Sequence, residues 1–215
     1  MAKKNIKNWN ESELEEVKKE FLELLRSTER DGVEDVIEEL EQLGFFKAPA
    51  SVERHLNFEG GLLLHSLNTC KAALAIWESM IPLSPNLADE VRRDGVIIAA
   101  LLHDVCKSDI YTPIIKKRKT SLGYYSVQEG YKVSYENLPI GHGEKSVVLL
   151  LCSGLEMREE ELLAIRWHMA EWEVNMHSSL ELKIYNTARE QYPLVTIIQT
   201  ADRLAASLIE EKWKI

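Results

Sequence analysis

The 215-residue chain is long enough to bury a substantial core as one domain with an extra element, and its 45% hydrophobic and 28% charged residues exclude the disordered and fibrous classes. A formal charge of −9 disfavours non-specific binding along a nucleic-acid backbone, so any phosphate must be met locally, through bound cations. No apolar run approaches the roughly 20 residues a bilayer crossing needs, and the opening "MAKKNIKNWNESELEEVKKE" is too polar for a secretory signal, so the expected location is the cytoplasm.

Helical signals dominate the chain from its start. Ser12 with Glu15 and Asp31 with Glu34 read as capping boxes, the first ahead of Val17, Phe21, Leu24 and Leu25, the second ahead of Val33, Val36, Ile37 and Leu40. Gly44 is expected to stop the second helix. The acidic faces of this pair read as solvated, so residues 1–48 are expected to form an N-terminal helical extension, without chemistry of its own, on a main body of residues 49–215. After "KAPAS" a helix is expected from Gly61 to about Ser79, ended by Pro82, and another from about Leu87 to Val105.

Between about 108 and 138 the pattern changes to Thr, Tyr, Val, Gly and Lys, which predicts a β-hairpin insertion. The basic run Lys116 to Lys119 falls there and reads as a solvated tip, with a flap over a substrate as the other reading. Tyr124, Tyr125, Tyr131 and Tyr135 alternate with polar residues, as strand packing would require, base stacking being the alternative. Helical periodicity resumes through "EKSVVLLLC", "MREEELLAIRWHM", "SLELKIYNTAREQY" and "LVTIIQTADRLAASLIEEKW", the last two separated near Pro193. Cys70, Cys106 and Cys152 form no CxxC and read as buried small hydrophobes.

Against this background a few polar residues are out of place. His65 follows Leu62, Leu63 and Leu64; His103 and Asp104 end the run "VIIAALLHDVCK"; Asp202 sits within "LVTIIQTADRLAASLI". A buried carboxylate is strongly disfavoured without a partner, so these groups should pair with each other, with backbone donors or with a metal. Any one of them alone is ordinarily a hydrogen-bonded core histidine or a helix-terminal aspartate. Together they make a mixed nitrogen and oxygen donor set suited to manganese, iron, cobalt, nickel or zinc. Consecutive helical residues point well apart, so His103 and Asp104 can share an ion only near a helix end or through a bridging carboxylate. His65 and Asp202, on other apolar helices, are the natural additions.

This spaced pattern resembles the HD superfamily of metal-dependent phosphohydrolases, over roughly Pro49 to Ile209. The resemblance rests on His65 in "GGLLLHSLNT", His103 and Asp104 in "LLHDVCK", and Asp202 in "TADRLAA". It implies an all-α HD-domain helical bundle, here with a small β-hairpin insertion and the N-terminal helical extension. Relatives with a dinuclear site carry two more histidines before the final aspartate, and the chain offers His142 in "PIGHGEKS" and His168 in "AIRWHMAEW". By resemblance, His65, His103, Asp104 and Asp202 would hold one divalent transition metal ion, and His142, His168 and a bridging Asp104 a second. Read singly, His142 is equally a loop histidine and His168 a half-buried helix histidine. Met169 stands where some dinuclear relatives have a further histidine, leaving a position for water, and the GYP signature of cyclic-dinucleotide phosphodiesterases is absent.

Two ions roughly 3.5–4 Å apart can bridge a water, bring its pKa from about 15.7 towards about 7, and clamp phosphate oxygens. The resemblance therefore implies hydrolysis of a phosphoester, of a nucleotide or short oligonucleotide, by a metal-bridged hydroxide whose ions are spaced by Asp104. Lys107 completes an HDxxK pattern and is a candidate for meeting the substrate phosphate, or else a lysine favourably placed at a helix C-terminus. Lys145 is a second candidate phosphate contact and His55 a candidate pocket wall. Arg166 and Arg203 read as partners of nearby glutamates, Trp167 and Trp172 as core or pocket wall, and His177 as surface. The expected partner is a small phosphorylated substrate, with no membrane and no stable duplex nucleic acid. The alternative is an HD-like regulatory or ligand-binding module without turnover.

Overall fold

Apolar residues at helical spacing give α1 (Glu11–Arg26) and α2 (Val33–Gln42), whose buried Phe21, Leu25, Val36 and Leu40 meet Phe45 and Phe46 of a single tight turn, Phe45–Lys47. The computed structural model describes residues 9–120, 123–169 and 178–210; Trp172 and His177 lie outside them. The capping box of α1 is Asn10 with Glu13, two residues before the expected Ser12 and Glu15: the Glu13 amide donates to Asn10 Oδ1 at 2.9 Å and the Asn10 amide to Glu13 Oε2 at 3.0 Å. Asn10 has the extended backbone a cap needs, whereas Ser12 is already helical. The expected box at Asp31 is also absent. Gly32 caps α2 at φ +86°, and a Cβ there would come within 2.2 Å of the Gly154 carbonyl oxygen. Glycine is required by both the turn and the contact. Gly44, at φ +71°, ends α2 as expected.

The next helix, α3 (Gly61–Met80), matches expectation, but the segment after it splits into α4 (Leu87–Glu90) and α5 (Arg93–Leu102). Val91 is the break: its backbone is extended, its side chain is buried, and its carbonyl accepts from Trp77 Nε1 at 3.1 Å. Every residue from Gly95 to Leu102 is buried, which an apolar helix tolerates only when surrounded. α1, α3, α8 (Glu159–Trp167) and α10 (Pro193–Leu204) surround it. The other α-helices among the described residues are α6 (Lys107–Ile110), α7 (His142–Cys152) and α9 (Ser179–Gln191), and a wider helical turn, Ala205–Ile209, continues α10. Pro193 opens α10, where its missing N–H costs no helix bond. Among the described residues no helix is long and apolar enough to cross a membrane.

Between α6 and α7, β1 (Tyr111–Thr120) and β2 (Gly123–Val133) pair antiparallel with a bulge at Ile114/Ile115. The ribbon touches the body mainly at α6, so Tyr124 and Tyr125 remain 71% and 48% exposed. The expectation that the tyrosines pack a strand surface fails for these two and for Tyr135, which is exposed beyond the end of β2, because among the described residues no layer covers the ribbon. Cys70 and Cys106 are buried as expected, while Cys152 is exposed at the end of α7.

One buried ionic cluster ties the first helices to the body. Arg30, in the α1–α2 turn, donates to both oxygens of Glu161 at 2.9 and 2.8 Å, to Asp94 Oδ2 at 2.8 Å and to the Glu156 carbonyl at 3.0 Å. Arg158 adds a bond to Asp94 at 2.9 Å. Asp94 lies in the first turn of α5 and Glu161 in that of α8. Burial works to raise the Asp94 carboxyl, but hydrogen bonds from Arg158 and Arg30 outweigh it and hold it at about 2. Replacing Arg30 by Met would leave the fully buried Glu161 with one ion pair among the described residues, the longer one to Arg158 at 3.4 Å, and should cost about 3–5 kcal/mol in urea unfolding, a loss under 1 kcal/mol contradicting this role. The folded Asp94 pKa is below its ordinary 3.8, so its contribution is complete above that value and should disappear as pH falls towards about 2, seen as a declining wild-type urea midpoint.

Candidate metal centre

The far ends of those two helices carry imidazoles. His103 and His168 are the residues immediately after α5 and α8, and each donates its Nδ1–H to the carbonyl three residues back, Ala100 at 2.8 Å and Ile165 at 2.7 Å. Those bonds fix the tautomer, leaving Nε2 of each ring as the lone-pair nitrogen. The partial negative charge of two helix C-termini adds to a local preference for cations. Gln199 of α10 donates to the Trp167 carbonyl at 2.7 Å, pinning α10, and with it Asp202, against the end of α8. A Cβ on Gly143 would lie 2.2 Å from the Arg166 carbonyl oxygen, so glycine permits the close approach that sets His142, at the start of α7, beside His168.

Asp104 joins these groups. Its Oδ2 is 3.2 Å from His103 Nε2 and 3.4 Å from His65 Nε2, while Oδ1 is 2.5 Å from His142 Nε2 and 3.3 Å from His168 Nε2. Asp202 Oδ1 is 3.1 Å from His65 Nε2 and 4.0 Å from His103 Nε2. His65, His103 and Asp104 thus form one group able to surround a cation, and Asp104, His142 and His168 another. The structure brings together all six residues expected as ligands. His65, His103, Asp104 and His168 form a buried floor, with the more exposed Asp202, His142 and Lys107 around them.

The donor set fits cations on physical grounds. The Nε2 atoms of His65 and His103 are 3.3 Å apart, and His168 Nε2 is buried without a hydrogen-bond partner beside a carboxylate oxygen. Lone pairs facing one another in a dry site are repulsive unless positive charge lies among them. Burial works to lower His65, but the Glu210 charge and hydrogen bonds to Asp104, Asp202 and Glu210 hold it well above its ordinary range, so a proton on this ring answers part of that need where a cation would take its place. Burial pushes the Asp104 carboxyl up, yet the charge of Lys107 and the close imidazoles of His103 and His142 hold it well below the carboxylate range. Asp202 is likewise lowered against its burial, chiefly by the His65 hydrogen bond and charge. Asp104, Asp202 and Glu210 make three carboxylates around His65, against the single ammonium of Lys107.

The other candidates occupy distinct environments. Lys107 Nζ is 2.5 Å from Asp104 Oδ2; burial works to lower this ammonium, but the charges of Asp104, Tyr111 and Asp202 raise it above its ordinary range. Lys145 is buried, its ammonium on the Asp109 carboxylate and the Asn137 carbonyl, so it would contact substrate only by leaving them. Arg166 pairs with Glu144 and stacks on Trp167 at 3.9 Å. His55 stands behind His65, ring centroids 5.1 Å apart, and burial together with the His65 charge lowers it to about 4.

Sequence reasoning missed Glu210, Asn68 and the second role of Cys106. Glu210 accepts from His65 Nδ1–H at 3.1 Å and from Asn68 Nδ2 at 3.2 Å, which turns His65 Nε2 towards Asp104. Cys106 Sγ lies 3.1 Å from His142 Nδ1. Asn68, one turn beyond His65, was findable by helical spacing; Glu210 had no local signal beyond the need of His65 for an acceptor.

Comparison with known proteins agrees with this geometry. Residues 62–207, more than half of the chain, match the family described as HD domain. The dihydroneopterin 2′,3′-cyclic phosphate phosphodiesterase of Methanocaldococcus jannaschii is 32% identical over 115 residues, covering 53% of this chain and 42% of that protein. The chain therefore spans less than half the length of this curated relative. No solved structure matches it.

Because Glu210 orients His65 through its charge, Glu210→Gln should keep the packing but weaken manganese binding about 10–100-fold in calorimetric titration. An unchanged affinity would mean that the carboxylate merely fills space.

Proposed function

The chain belongs to the HD-domain family, and from that premise we propose that it is a metal-dependent phosphohydrolase that cleaves a phosphodiester of a nucleotide or short oligonucleotide. The observation that carries this reading is the position of Asp104, each of whose oxygens faces a different pair of imidazole Nε2 atoms. His65, His103, Asp104 and Asp202 would hold one divalent ion and His142, His168 and Asp104 the second, with manganese, iron, cobalt, nickel and zinc all compatible with the donors. A dinuclear centre supplies Lewis acidity towards phosphate oxygens and lowers the pKa of a coordinated water.

The chain's own residues prepare that chemistry. The Ala100 and Ile165 carbonyls and the Glu210 carboxylate take the Nδ1–H of three imidazoles and turn each Nε2 towards the centre, where an ion would take the place of any proton on that nitrogen. Asp104 sets the spacing between the two groups. Lys107, already beside Asp104, supplies fixed positive charge at the edge of the centre, where an incoming phosphate would be met. His55 forms part of the wall on the His65 side, and Lys145, if released from Asp109, would be a more remote phosphate contact. The Methanocaldococcus jannaschii relative, whose name specifies a cyclic phosphate diester, supports a diester over a monoester for this chain.

Purified protein supplied with manganese should hydrolyse bis(p-nitrophenyl) phosphate and 2′,3′-cyclic nucleotides in preference to phosphomonoesters. His103→Ala and Asp104→Ala should reduce turnover to background, and His142→Ala should lower metal content by one position while the other stays filled, as read by elemental analysis. Unchanged metal content in all three variants would sink the ligand assignment. Bound metal with no phosphoester cleaved would leave a ligand-binding module instead.

A further inference from the structure

The ribbon differs from the rest of the molecule in both charge and exposure. Residues 111–133 contain five cationic side chains, Lys116, Lys117, Arg118, Lys119 and Lys132, and one acid, Glu129, in a chain whose formal charge is −9. The strand register sorts them between two faces. Lys116 and Arg118 share one, and Glu129 pairs with both, at 2.6 and 2.8 Å. Lys117 and Lys119 share the other, opposite Ser126 and Tyr124, and among the described residues neither has an ion-pair partner. A groove of about 450 Å³ is lined by Lys117, Tyr124 and Ser126 of this face and by Tyr125, whose register partner is Arg118 of the other.

This face is also connected to the metal centre. α6 leads from the His103–Asp104 turn straight into β1, the Ser134 amide returns to the Ile110 carbonyl at 2.8 Å, and Asn137 donates to Asp109 at 3.1 Å. The ribbon therefore springs from the edge of the centre and reaches about 26 Å between Tyr111 and Lys119, at roughly 3.3 Å per residue. Unpaired lysines beside an exposed tyrosine are the elements of a surface that follows a phosphate backbone and stacks unpaired bases. A duplex keeps its base faces covered and could not use the tyrosines.

Resting on the phosphoester reading above, we infer that the Lys117–Lys119–Tyr124 face of the ribbon binds single-stranded nucleic acid and leads its scissile phosphate towards the Asp104 centre. The substrate class is then an oligonucleotide strand rather than a free mononucleotide. The lysines contact successive phosphates and Tyr124 stacks on a base.

The test is fluorescence anisotropy of the full chain, in EDTA, with fluorescein-labelled oligo(dT) and oligo(U) of about 12 nucleotides. Lys117→Gln combined with Lys119→Gln should reduce the slope of log affinity against log salt by about 1.4, two phosphate contacts at about 0.7 each on a single strand. Tyr124→Ala should weaken binding about tenfold, with thermal midpoints unchanged because these side chains are exposed. Wild-type protein that hydrolyses phosphoesters but binds neither oligonucleotide overturns the ribbon proposal and leaves the hydrolase reading intact. Protein that binds through these residues but hydrolyses nothing does the reverse. Binding equal in wild type and variants places the strand elsewhere and overturns the proposal. So does ribbon-dependent self-association, or binding to phosphatidylserine vesicles, without oligonucleotide binding.

Discussion

Asp104 is 1% exposed at the end of a helix that is apolar on every side, and a carboxylate cannot occupy such a place alone. The remainder of the centre follows from that constraint. Four imidazoles and one ammonium lie within 3.4 Å of its two oxygens. Backbone carbonyls tie the Nδ1 atoms of His103 and His168, so these rings cannot donate from Nε2 while neutral. A shell of neutral acceptors would leave the carboxylate worse placed than before. The site therefore requires positive charge, of which Lys107 and the raised His65 supply part.

Such a site needs its donors held in place from a distance. α5 and α8 each begin on the Arg30 cluster and end on a candidate ligand, so one guanidinium constrains both helices at the end away from the centre. Arg30 belongs to the turn between α1 and α2, which connects the first two helices to the site without giving them contact with it. α10 is fixed differently, by Gln199 on the last carbonyl of α8, and α7 by the glycine contact at Gly143. Of the ligand-bearing helices, α5, α7 and α10 are thus coupled to α8 by three chemically distinct interactions, while α3, which carries His65, packs on α5 and α10.

The parts legible in the sequence were those whose pattern is local. The apolar runs of α3 and α5 and the break at Pro193 announce themselves by composition, and His103 with Asp104 is conspicuous because a polar pair follows an apolar run. The first cap was misplaced because Ser12 and Glu15 satisfy the same spacing as Asn10 and Glu13; only the backbone at Asn10 distinguishes them. The split at Val91 was hidden, since a valine there suits a continuous helix and the break depends on the Trp77 side chain reaching its carbonyl. Glu210 and Arg30 were invisible for a similar reason: their partners lie 145 and 131 residues away in sequence, and burial of a charged residue cannot be read without its partner.

The ribbon shows the limit of periodicity most clearly. Alternation between polar and aromatic residues is the same whether a strand packs against a layer or projects from the body, because it reports the pleat and not what covers it. What separates the two cases is the exposure of Tyr124, over which no second sheet or helix lies among the described residues, together with Glu129 neutralising one face and leaving the other cationic. A two-stranded ribbon is marginal by itself in water, so cross-strand ion pairs and anchorage at α6 contribute to holding it. The ion pairs gather the ribbon's only acid onto the Lys116–Arg118 face, and the same arrangement that supports the strands leaves Lys117 and Lys119 available to an anion.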